Sequence, residues 1–318
     1  MPPVRIAVIG AGSFGRNHLR VLRQLPEAEL AGVVDTNPER AAAASAEFGC
    51  RVLPGIADVA AQVDAAVVAT PTTTHAEIGC ALLEAGIDVL MEKPIAQDTA
   101  SARRLIDAAA RNGRILQVGH LERFNPAIEA LRNIITVPLF FEIHRMSVFT
   151  PRSLDVDVLL DLMIHDIEIV LDLVGQPPSE IRAAGLPVLS DKVDIANVRL
   201  AFDTGCVANL TASRVSTERI RKLRLFQPSQ YISLDYQRQE ALTFTVSPAR
   251  EVTPAILPVE KSEPLRRELE SFLGAVQTRE KPVVTGERGL LALEVCLEIL
   301  GKIEEHTRQI SQRLQAVR

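Results

Sequence analysis

The chain has little cysteine, no long apolar run and only a small excess of charge. Its four cysteines form no C-x-x-C pair and have no histidine cluster nearby, so we expect them to be buried and expect no metal site. No apolar stretch approaches the ~18 residues that a membrane-spanning helix needs, and residues 1–5 lack the layout of a signal peptide. A net charge of -5 gives no general attraction for nucleic acid or anionic membrane. These absences predict a cytoplasmic protein with no nucleic-acid or membrane partner.

The 318 residues are enough for two hydrophobic cores. Up to about residue 119, short runs rich in valine, isoleucine and alanine alternate with helical stretches, which predicts a parallel sheet covered by helices. Between about residues 181 and 246 the apolar positions alternate, which predicts antiparallel strands, followed by an irregular arm at 254–264 and two helices. The predicted fold is therefore α/β. It has an N-terminal Rossmann doubly wound parallel sheet (1–121) and a C-terminal α+β domain with an open, mostly antiparallel sheet (122–318).

A glycine-rich turn, residues 10–15, follows the first predicted strand and opens a helix. In such a turn Gly10 permits the tight bend, Gly12 lets the backbone approach a pyrophosphate, and Gly15 lets the helix pack on the strand. The phosphates would lie at the helix N-terminus. This context predicts a dinucleotide site, although other doubly wound folds also contain glycine turns.

Asp35 ends the second predicted strand, about 20 residues after Gly15, where a carboxylate can accept hydrogen bonds from the adenosine ribose hydroxyls. A carboxylate also repels a 2'-phosphate, so we expect NAD rather than NADP as the cofactor. The cation of Arg40 would partly offset that repulsion. Thr36 is a small polar neighbour that we expect at the adenosine end of the cofactor.

Two loops follow buried strands at the sheet edge where open α/β sheets bind ligands. Lys93, followed by proline, is predicted to point toward the nicotinamide, although a solvated surface lysine would give the same pattern. His75 is expected at a helix start rather than in catalysis. The full candidate set for cofactor binding is Gly10, Gly12, Ser13, Phe14, Gly15, Asp35, Thr36, Arg40, Thr70, Pro71, Thr72, His75, Glu92 and Lys93.

Asp161 and His165 lie four residues apart and are predicted to share one face of a helix between about residues 156 and 174. Oxidation of an alcohol needs a group that takes the hydroxyl proton as hydride leaves carbon. An imidazole oriented by a carboxylate suits that task. The alternative is a partly buried helix in which the pair only satisfies its own hydrogen bonds.

Taken together, the glycine turn, Glu92-Lys93-Pro94 and Asp161-x-x-x-His165 resemble the Gfo/Idh/MocA family, the group of glucose-fructose oxidoreductase and inositol dehydrogenase, over essentially the whole chain. The resemblance implies a Rossmann domain followed by a domain built on an open antiparallel sheet. It also implies that Lys93 holds the reacting hydroxyl, that His165 is the main acid/base and that Asp161 binds substrate and positions the others. Many members carry glycine where Met163 stands here.

Residues 118–126, 153–157 and 189–197 are similar to the subgroup that oxidises the 3-hydroxyl of UDP-N-acetylglucosamine, a step toward the 3-amino sugar of some bacterial lipid A. This resemblance implies an NAD-dependent sugar dehydrogenase. The substrate-binding candidates are then Lys93, Arg123, Asn125, Asp161 and His165. A polyol or aldose dehydrogenase of the inositol dehydrogenase type is one alternative, and a catalytically silent NAD-binding regulator is another.

Five cations between Arg214 and Arg224, against Glu218 alone, would suit a nucleotide diphosphate. A solvated strand face or a subunit contact is the simpler explanation. Apolar residues also alternate along residues 207–213 and 223–226. Family members usually pack this sheet against another subunit, so we expect a homodimer or homotetramer.

Overall fold

The structure is a computed structural model that describes residues 1–149 and 156–316, with side chains up to residue 308. Residues 153–155, part of one segment of the subgroup resemblance, lie outside the described residues. The described strands are β1 (Val4–Ile9), β2 (Ala28–Val34), β3 (Arg51–Val52), β4 (Ala65–Val68), β5 (Asp88–Glu92), β6 (Leu116–Gly119), β7 (Phe140–Val148), β8 (Glu180–Leu186), β9 (Ile195–Ala201), β10 (Val207–Ser216), β11 (Ile220–Gln227), β12 (Gln230–Asp235), β13 (Glu240–Val246) and β14 (Val252–Leu257).

The α-helices are α1 (Ser13–Leu22), α2 (Pro38–Phe48), α3 (Ile56–Ala60), α4 (His75–Glu84), α5 (Thr99–Asn112), α6 (Pro126–Arg132), α7 (Ile164–Val174), α8 (Pro264–Thr278) and α9 (Gly286–Ala316). A 3-10 turn precedes α4 at Thr72–Thr74, another covers Leu121–Phe124, and a π-helical turn precedes α7 at Leu159–Met163. Among the described residues, none of these helices is both long and apolar enough to cross a membrane.

The chain forms two compact units, Met1–Phe124 with Glu263–Leu293, and Asn125–Ser262 with Glu294–Arg318. In the first unit, six parallel strands lie in the order β3-β2-β1-β4-β5-β6. This is the doubly wound Rossmann order. Strands β4, β5 and β6 are buried along their whole length, as expected for strands covered on both faces.

The predicted boundary after residue 121 places residues 263–293 in the second domain, whereas their contacts place them in the first unit. The reason is the apolar face of α8. Leu269, Phe272 and Leu273 are fully buried in the same cluster as Ile6 and Val8 of β1. The N-terminal sheet therefore completes its core with a helix from the far end of the chain.

The second unit is built on an eight-stranded sheet in the order β14-β13-β12-β11-β7-β10-β9-β8. Strands β7 and β10 run parallel and the other neighbouring pairs are antiparallel, which confirms the mostly antiparallel prediction. Burial alternates along the strands. Leu223 and Leu225 of β11 are buried, for example, while Lys222 and Arg224 are exposed. One face of the sheet thus carries the core of the unit.

The irregular arm predicted at residues 254–264 is wrong at its start, because residues 252–257 form β14. Pro254 and Pro258 favour an arm in the sequence. A proline is tolerated here because β14 is at the edge of the described sheet, where one row of its backbone groups has no partner among the described strands.

Candidate active site

The glycine turn of the first unit has the geometry that its three glycines predict. Gly10 adopts φ +99°, and a Cβ there would lie 2.5 Å from the carbonyl oxygen of Ala69. A Cβ on Gly15 would lie 1.8 Å from the carbonyl oxygen of Gly10, because α1 packs directly against the turn. At Gly12, by contrast, a Cβ would meet no atom of the described residues within 4 Å.

This open space fits a dinucleotide pyrophosphate. Gly12 is the N-cap residue of α1 and has no side chain with which to cap the helix. The N-terminus of such a helix offers backbone N–H groups and a partial positive charge to an anion. Ser13 and Phe14 in the first turn are exposed, and Phe14 keeps 46% of its surface accessible. The residues present therefore suit the group that the sequence predicts.

Asp35 lies beside this turn with its carboxylate held in place. Its Oδ2 accepts the Ala11 N–H at 2.7 Å, and its Oδ1 accepts the Asn37 N–H at 2.8 Å. The exposed side chain of Arg40 places Nη2 3.3 Å from Oδ1 of the largely buried carboxylate. A carboxylate offers about four acceptor positions, so Asp35 can still accept bonds from ribose hydroxyls. Thr36 is exposed next to it.

His75 links the two loops at the carboxyl ends of β4 and β5. Its Nδ1 lies 3.0 Å from the carbonyl oxygen of Pro94, and its Nε2 lies 3.0 Å from that of Thr70. Burial lowers the pKa of His75, with smaller opposing contributions from its hydrogen bonds. The side chain is 1% exposed, so it shapes the loop of Thr70, Pro71 and Thr72 from within and is not placed to donate a proton to a ligand.

Lys93 is half-buried, and its peptide bond to Pro94 is cis. The preceding Glu92 is 7% exposed and faces inward. Glu92 Oε2 accepts the backbone N–H of Lys93 at 3.3 Å, and Glu92 Oε1 lies 2.6 Å from Nε2 of His18 on α1. Glu92 therefore holds the backbone of Lys93, and its inward-facing carboxylate is not placed to bind the cofactor.

His120 is a further candidate site residue, in addition to those predicted from the sequence. It follows β6, is 1% exposed, and has its pKa lowered to about 3, first by burial and then by the charges of Lys93 and Arg123. A neutral imidazole therefore lies within electrostatic reach of both cations. The sequence feature that indicates His120 is its position directly after a buried strand, at the same sheet edge as Lys93. Arg123 itself is 2% exposed.

Asn125, a candidate substrate ligand, uses both of its side-chain polar atoms in hydrogen bonds within the second unit. Its Oδ1 accepts the Ala127 N–H as the cap of α6, and its Nδ2 donates to the carbonyl oxygen of Tyr236 at 3.1 Å. It is 2% exposed. We therefore assign a structural role to Asn125 in place of substrate binding.

Asp161 and His165 lie in the second unit where a π-helical turn passes into α7. The Asp161 N–H donates to the carbonyl oxygen of Asp157 at 3.0 Å. Both side chains are partly exposed, whereas Met163 and Ile164 between them are fully buried. This burial pattern puts the pair on the open side of the helix. π-turns are frequent at functional sites because they re-aim side chains.

Asp166, the next acidic residue after Asp161, has a structural role. Asp166 is 1% exposed and accepts two hydrogen bonds from Arg145, from Nε at 2.7 Å and from Nη2 at 2.8 Å. The Arg145 guanidinium lies over the Tyr236 ring, 5.1 Å from its centroid. A buried bidentate pair of this kind fixes α7 against β7. Asp161 and His165 are thereby held on a firmly anchored helix.

The basic segment at residues 214–224 is not one continuous stripe. Arg214 is buried and donates to Asp194 Oδ1 at 2.6 Å and to the carbonyl oxygen of Val156 at 2.6 Å. Arg224 pairs with Glu142 at 3.0 Å. Burial alone would raise the pKa of Asp194. Hydrogen bonds from Val188 N–H, Leu189 N–H, Arg214 and Ser190 outweigh burial and hold that pKa well below its usual range.

These features have known counterparts. Residues 4–120 match the family described as "Oxidoreductase family, NAD-binding Rossmann fold", and residues 136–226 match the "GFO/IDH/MocA C-terminal domain". The chain belongs to the Gfo/Idh/MocA family of oxidoreductases, whose cofactor is a nicotinamide dinucleotide.

Two relatives are similar over nearly their whole length. UDP-N-acetylglucosamine 3-dehydrogenase of Acidithiobacillus ferrooxidans is 36% identical over 307 residues, which cover 95% of this chain and 97% of the relative. A solved structure of that enzyme covers 96% of this chain and 99% of its own, with a TM-score of 0.91. Inositol 2-dehydrogenase of Rhizobium meliloti is 27% identical, covering 97% and 99% of the two chains.

Proposed function

We propose that this oxidoreductase uses NAD to oxidise the 3-hydroxyl of UDP-N-acetylglucosamine to the 3-keto sugar. The observation that carries the proposal is the full-length likeness to a UDP-N-acetylglucosamine 3-dehydrogenase, at 36% identity. The inositol 2-dehydrogenase, at 27% identity over a similar span, supports polyol oxidation as the second candidate. The identity therefore favours the nucleotide sugar.

The residues proposed for the chemistry are Lys93 of the first unit and Asp161 and His165 of the second. A nicotinamide dinucleotide held at the glycine turn would supply the acceptor for the hydride of the sugar carbon. Lys93 holds the hydroxyl that reacts, His165 takes its proton, and Asp161 orients the hydroxyl and the imidazole. The neutral His120 beside Lys93 adds no further cation to this part of the site.

NAD is proposed over NADP because of Asp35. Its carboxylate is fixed beside the glycine turn by the Ala11 N–H, where it would accept ribose hydroxyls and oppose a 2'-phosphate. Arg40 offsets part of that repulsion, because its guanidinium pairs with the same carboxylate at 3.3 Å.

The substrate is tested with a panel read by NADH absorbance. UDP-N-acetylglucosamine, free N-acetylglucosamine and myo-inositol should differ in kcat/KM, with the nucleotide sugar fastest. Reduction of the product with borodeuteride should place deuterium at C3. A higher kcat/KM for myo-inositol would favour the second candidate. Tight NAD binding without turnover of any sugar or polyol would instead indicate a catalytically silent regulator.

The roles of the proton-handling residues are tested by Lys93→Ala and His165→Ala. Each should lower kcat by roughly 10²- to 10⁴-fold, the usual contribution of a positioned acid or base, while NAD affinity stays nearly unchanged. Lys281→Ala, at an exposed lysine of the first unit, serves as the control for Lys93→Ala. Steady-state rates that are unchanged in both site variants would refute the assignment.

We also propose that the outer face of the second sheet packs against a second copy of the chain. Phe140, Phe226, Tyr231 and Phe244 form a row across four neighbouring strands, with ring centroids 4.8–5.8 Å apart. Phe226 is 39% exposed in the single chain. An apolar row left open in this way marks an interaction surface. The mass in solution should be that of a dimer or tetramer, and Phe226→Glu should reduce it; a monomeric wild-type protein at micromolar concentration would contradict the proposal.

A further inference from the structure

Three ionisable side chains meet inside the first unit: His18 of α1, Glu92 of β5 and Glu268 of α8. Each offers one nitrogen or oxygen atom within 4.8 Å of the others. His18 and Glu268 are fully buried and Glu92 is 7% exposed. The structure thus gathers three titratable groups from distant parts of the chain directly behind Lys93.

Glu92 connects the nucleotide-binding helix to the catalytic loop. Its Oε1 lies 2.6 Å from His18 Nε2, and its Oε2 accepts the backbone N–H of Lys93 at 3.3 Å. The Glu92 carboxylate packs closely against Gly119, because a Cβ on Gly119 would lie 3.1 Å from Glu92 Oε2. The position of the Lys93 peptide therefore depends on the Glu92 carboxylate and on what holds it.

Glu268 differs from Glu92 in its surroundings. Neither of its carboxyl oxygens has a hydrogen-bond partner among the described residues. Burial, and then the charge of Glu92, raises the pKa of Glu268 well above its usual range. Two buried carboxylates at this separation would repel each other strongly, and an ionised group without partners would lose its hydration uncompensated. Glu268 is therefore the neutral member of the pair.

A histidine and two carboxylates are also a common ligand set for a divalent metal. The geometry favours a proton instead. The 2.6 Å between His18 Nε2 and Glu92 Oε1 is a direct hydrogen bond, shorter than two ligand atoms keep around one zinc ion. His18 Nδ1 has no partner in the described part of the chain, whereas metal-bound histidines usually donate from their second nitrogen.

We propose that His18, Glu92 and Glu268 form a positioning cluster for Lys93, in which Glu268 stays protonated and donates toward the Glu92 carboxylate. At no more than 4.8 Å, a small side-chain rotation or a single bridging water completes that bond. Glu92 then keeps one negative charge and two fixed directions, toward His18 and toward the Lys93 N–H. The inference rests on the proposed role of Lys93 in turnover.

The donor role is tested by comparing Glu268→Gln with Glu268→Met. The amide can still donate, so Glu268→Gln should keep kcat within about threefold, whereas Glu268→Met should lose about tenfold, the worth of one hydrogen bond. Glu270→Gln, on the exposed side of the same helix and paired with Arg266, is the control. Equal losses in both variants at position 268 would show that a negative charge is needed. Full kcat in both would show that Glu268 is a bystander. Either result overturns the proposal.

The protonation state is tested without any substrate. At neutral pH, the infrared spectrum of the cofactor-free protein should contain a carboxylic-acid band that disappears in Glu268→Gln and stays in Glu270→Gln. This measurement needs neither a known sugar nor the methionine variant, so it still tests the cluster if the proposed function fails. Absence of that band in the wild-type protein would overturn the proposal. So would one equivalent of zinc that co-purifies with the wild-type protein and is lost in Glu268→Gln.

Discussion

The glycine turn allows stability and cofactor binding to be separated by two substitutions of the same size. A Cβ on Gly15 would lie 1.8 Å from a backbone carbonyl oxygen, whereas a Cβ on Gly12 would lie more than 4 Å from every atom in the described part of the chain. Gly12 also has φ -69°, which any L residue adopts. We therefore expect Gly15→Ala to disturb the fold and Gly12→Ala to leave the fold intact.

The sizes of the two effects follow from these distances. The contact at Gly15 is with backbone and has no rotamer through which to relax, so the cost should reach ~3 kcal/mol, the upper part of the range for overpacking. With an unfolding entropy of about 2.1 cal/mol/K per residue, that lowers the Tm of this 318-residue chain by roughly 4–5 °C. Gly12→Ala should instead hold the pyrophosphate away from the helix N-terminus. Losing one charge-assisted hydrogen bond costs ~1.5–3 kcal/mol, or about 10- to 150-fold in NAD affinity.

Thermal unfolding without cofactor measures the first effect, and NAD titration by calorimetry or fluorescence measures the second. Gly55→Ala, at another helix N-cap whose added Cβ would have only a 3.9 Å contact with Asp58, is the matched control. A large fall in Tm for Gly12→Ala, or unaltered NAD affinity in that variant, would refute the assignment of the open space to the pyrophosphate.

Two further perturbations test other parts of the structure. Asp35→Ser should lower the preference for NAD over NADP by about 70-fold or more, because it removes a charged acceptor worth ~1.5 kcal/mol and a repulsion of at least ~1 kcal/mol; an unchanged ratio of kcat/KM values would contradict this. Asp194→Asn should cost about 3–5 kcal/mol in urea unfolding at pH 7, since it removes the carboxylate that neutralises the buried Arg214 guanidinium. The folded-state pKa of Asp194 is lowered, so its contribution is complete above about pH 4 and is lost as the pH falls further. The variant should therefore lose less stability than the wild type between pH 4 and pH 2. If the free energy of unfolding falls equally with pH in both proteins, the stabilising role of the Asp194–Arg214 ion pair is contradicted.

Features carried by neighbouring residues could be predicted from the sequence. Helix α5 begins where Asp98 accepts the Ser101 N–H and ends at Gly113 with φ +59°, and both residues are recognisable cap signals. Thr74 and Glu77 have the spacing of a capping box, in which Thr74 Oγ1 would accept the Glu77 N–H. That bond is not formed among the described residues: Thr74 has helical backbone angles, and its Oγ1 donates to the carbonyl oxygen of Pro71. Spacing along the chain alone does not decide which hydrogen bonds a hydroxyl makes.

The basic segment shows how a strand irregularity separates cations that are close in sequence. Strand β10 has a register shift between Ser213 and Ser216, and Ala212, Ser213 and Arg214 are buried in succession. Arg214 therefore turns inward to Asp194, whereas Arg224 of β11 is exposed. Nothing in the order of residues marks that shift, since it depends on pairing with β7.

Groups brought together from distant segments could not be found from spacing. His18 and Glu268 are 250 positions apart along the chain, and each is a plausible helix surface residue when its own helix is considered alone. Only the packing of α8 onto the first sheet buries both beside Glu92. The same packing explains why the predicted domain boundary leaves out residues 263–293.

Because α8 is synthesised late, the first unit cannot finish folding early in synthesis of the chain. At roughly 5–20 residues per second, the ribosome needs many seconds between completing β6 and releasing residue 278. During that interval the apolar surface that Leu269, Phe272 and Leu273 later cover is open to other molecules. The nucleotide-binding unit, although it begins first, finishes folding only after nearly the whole chain has been made, and chaperones would act on it during this interval.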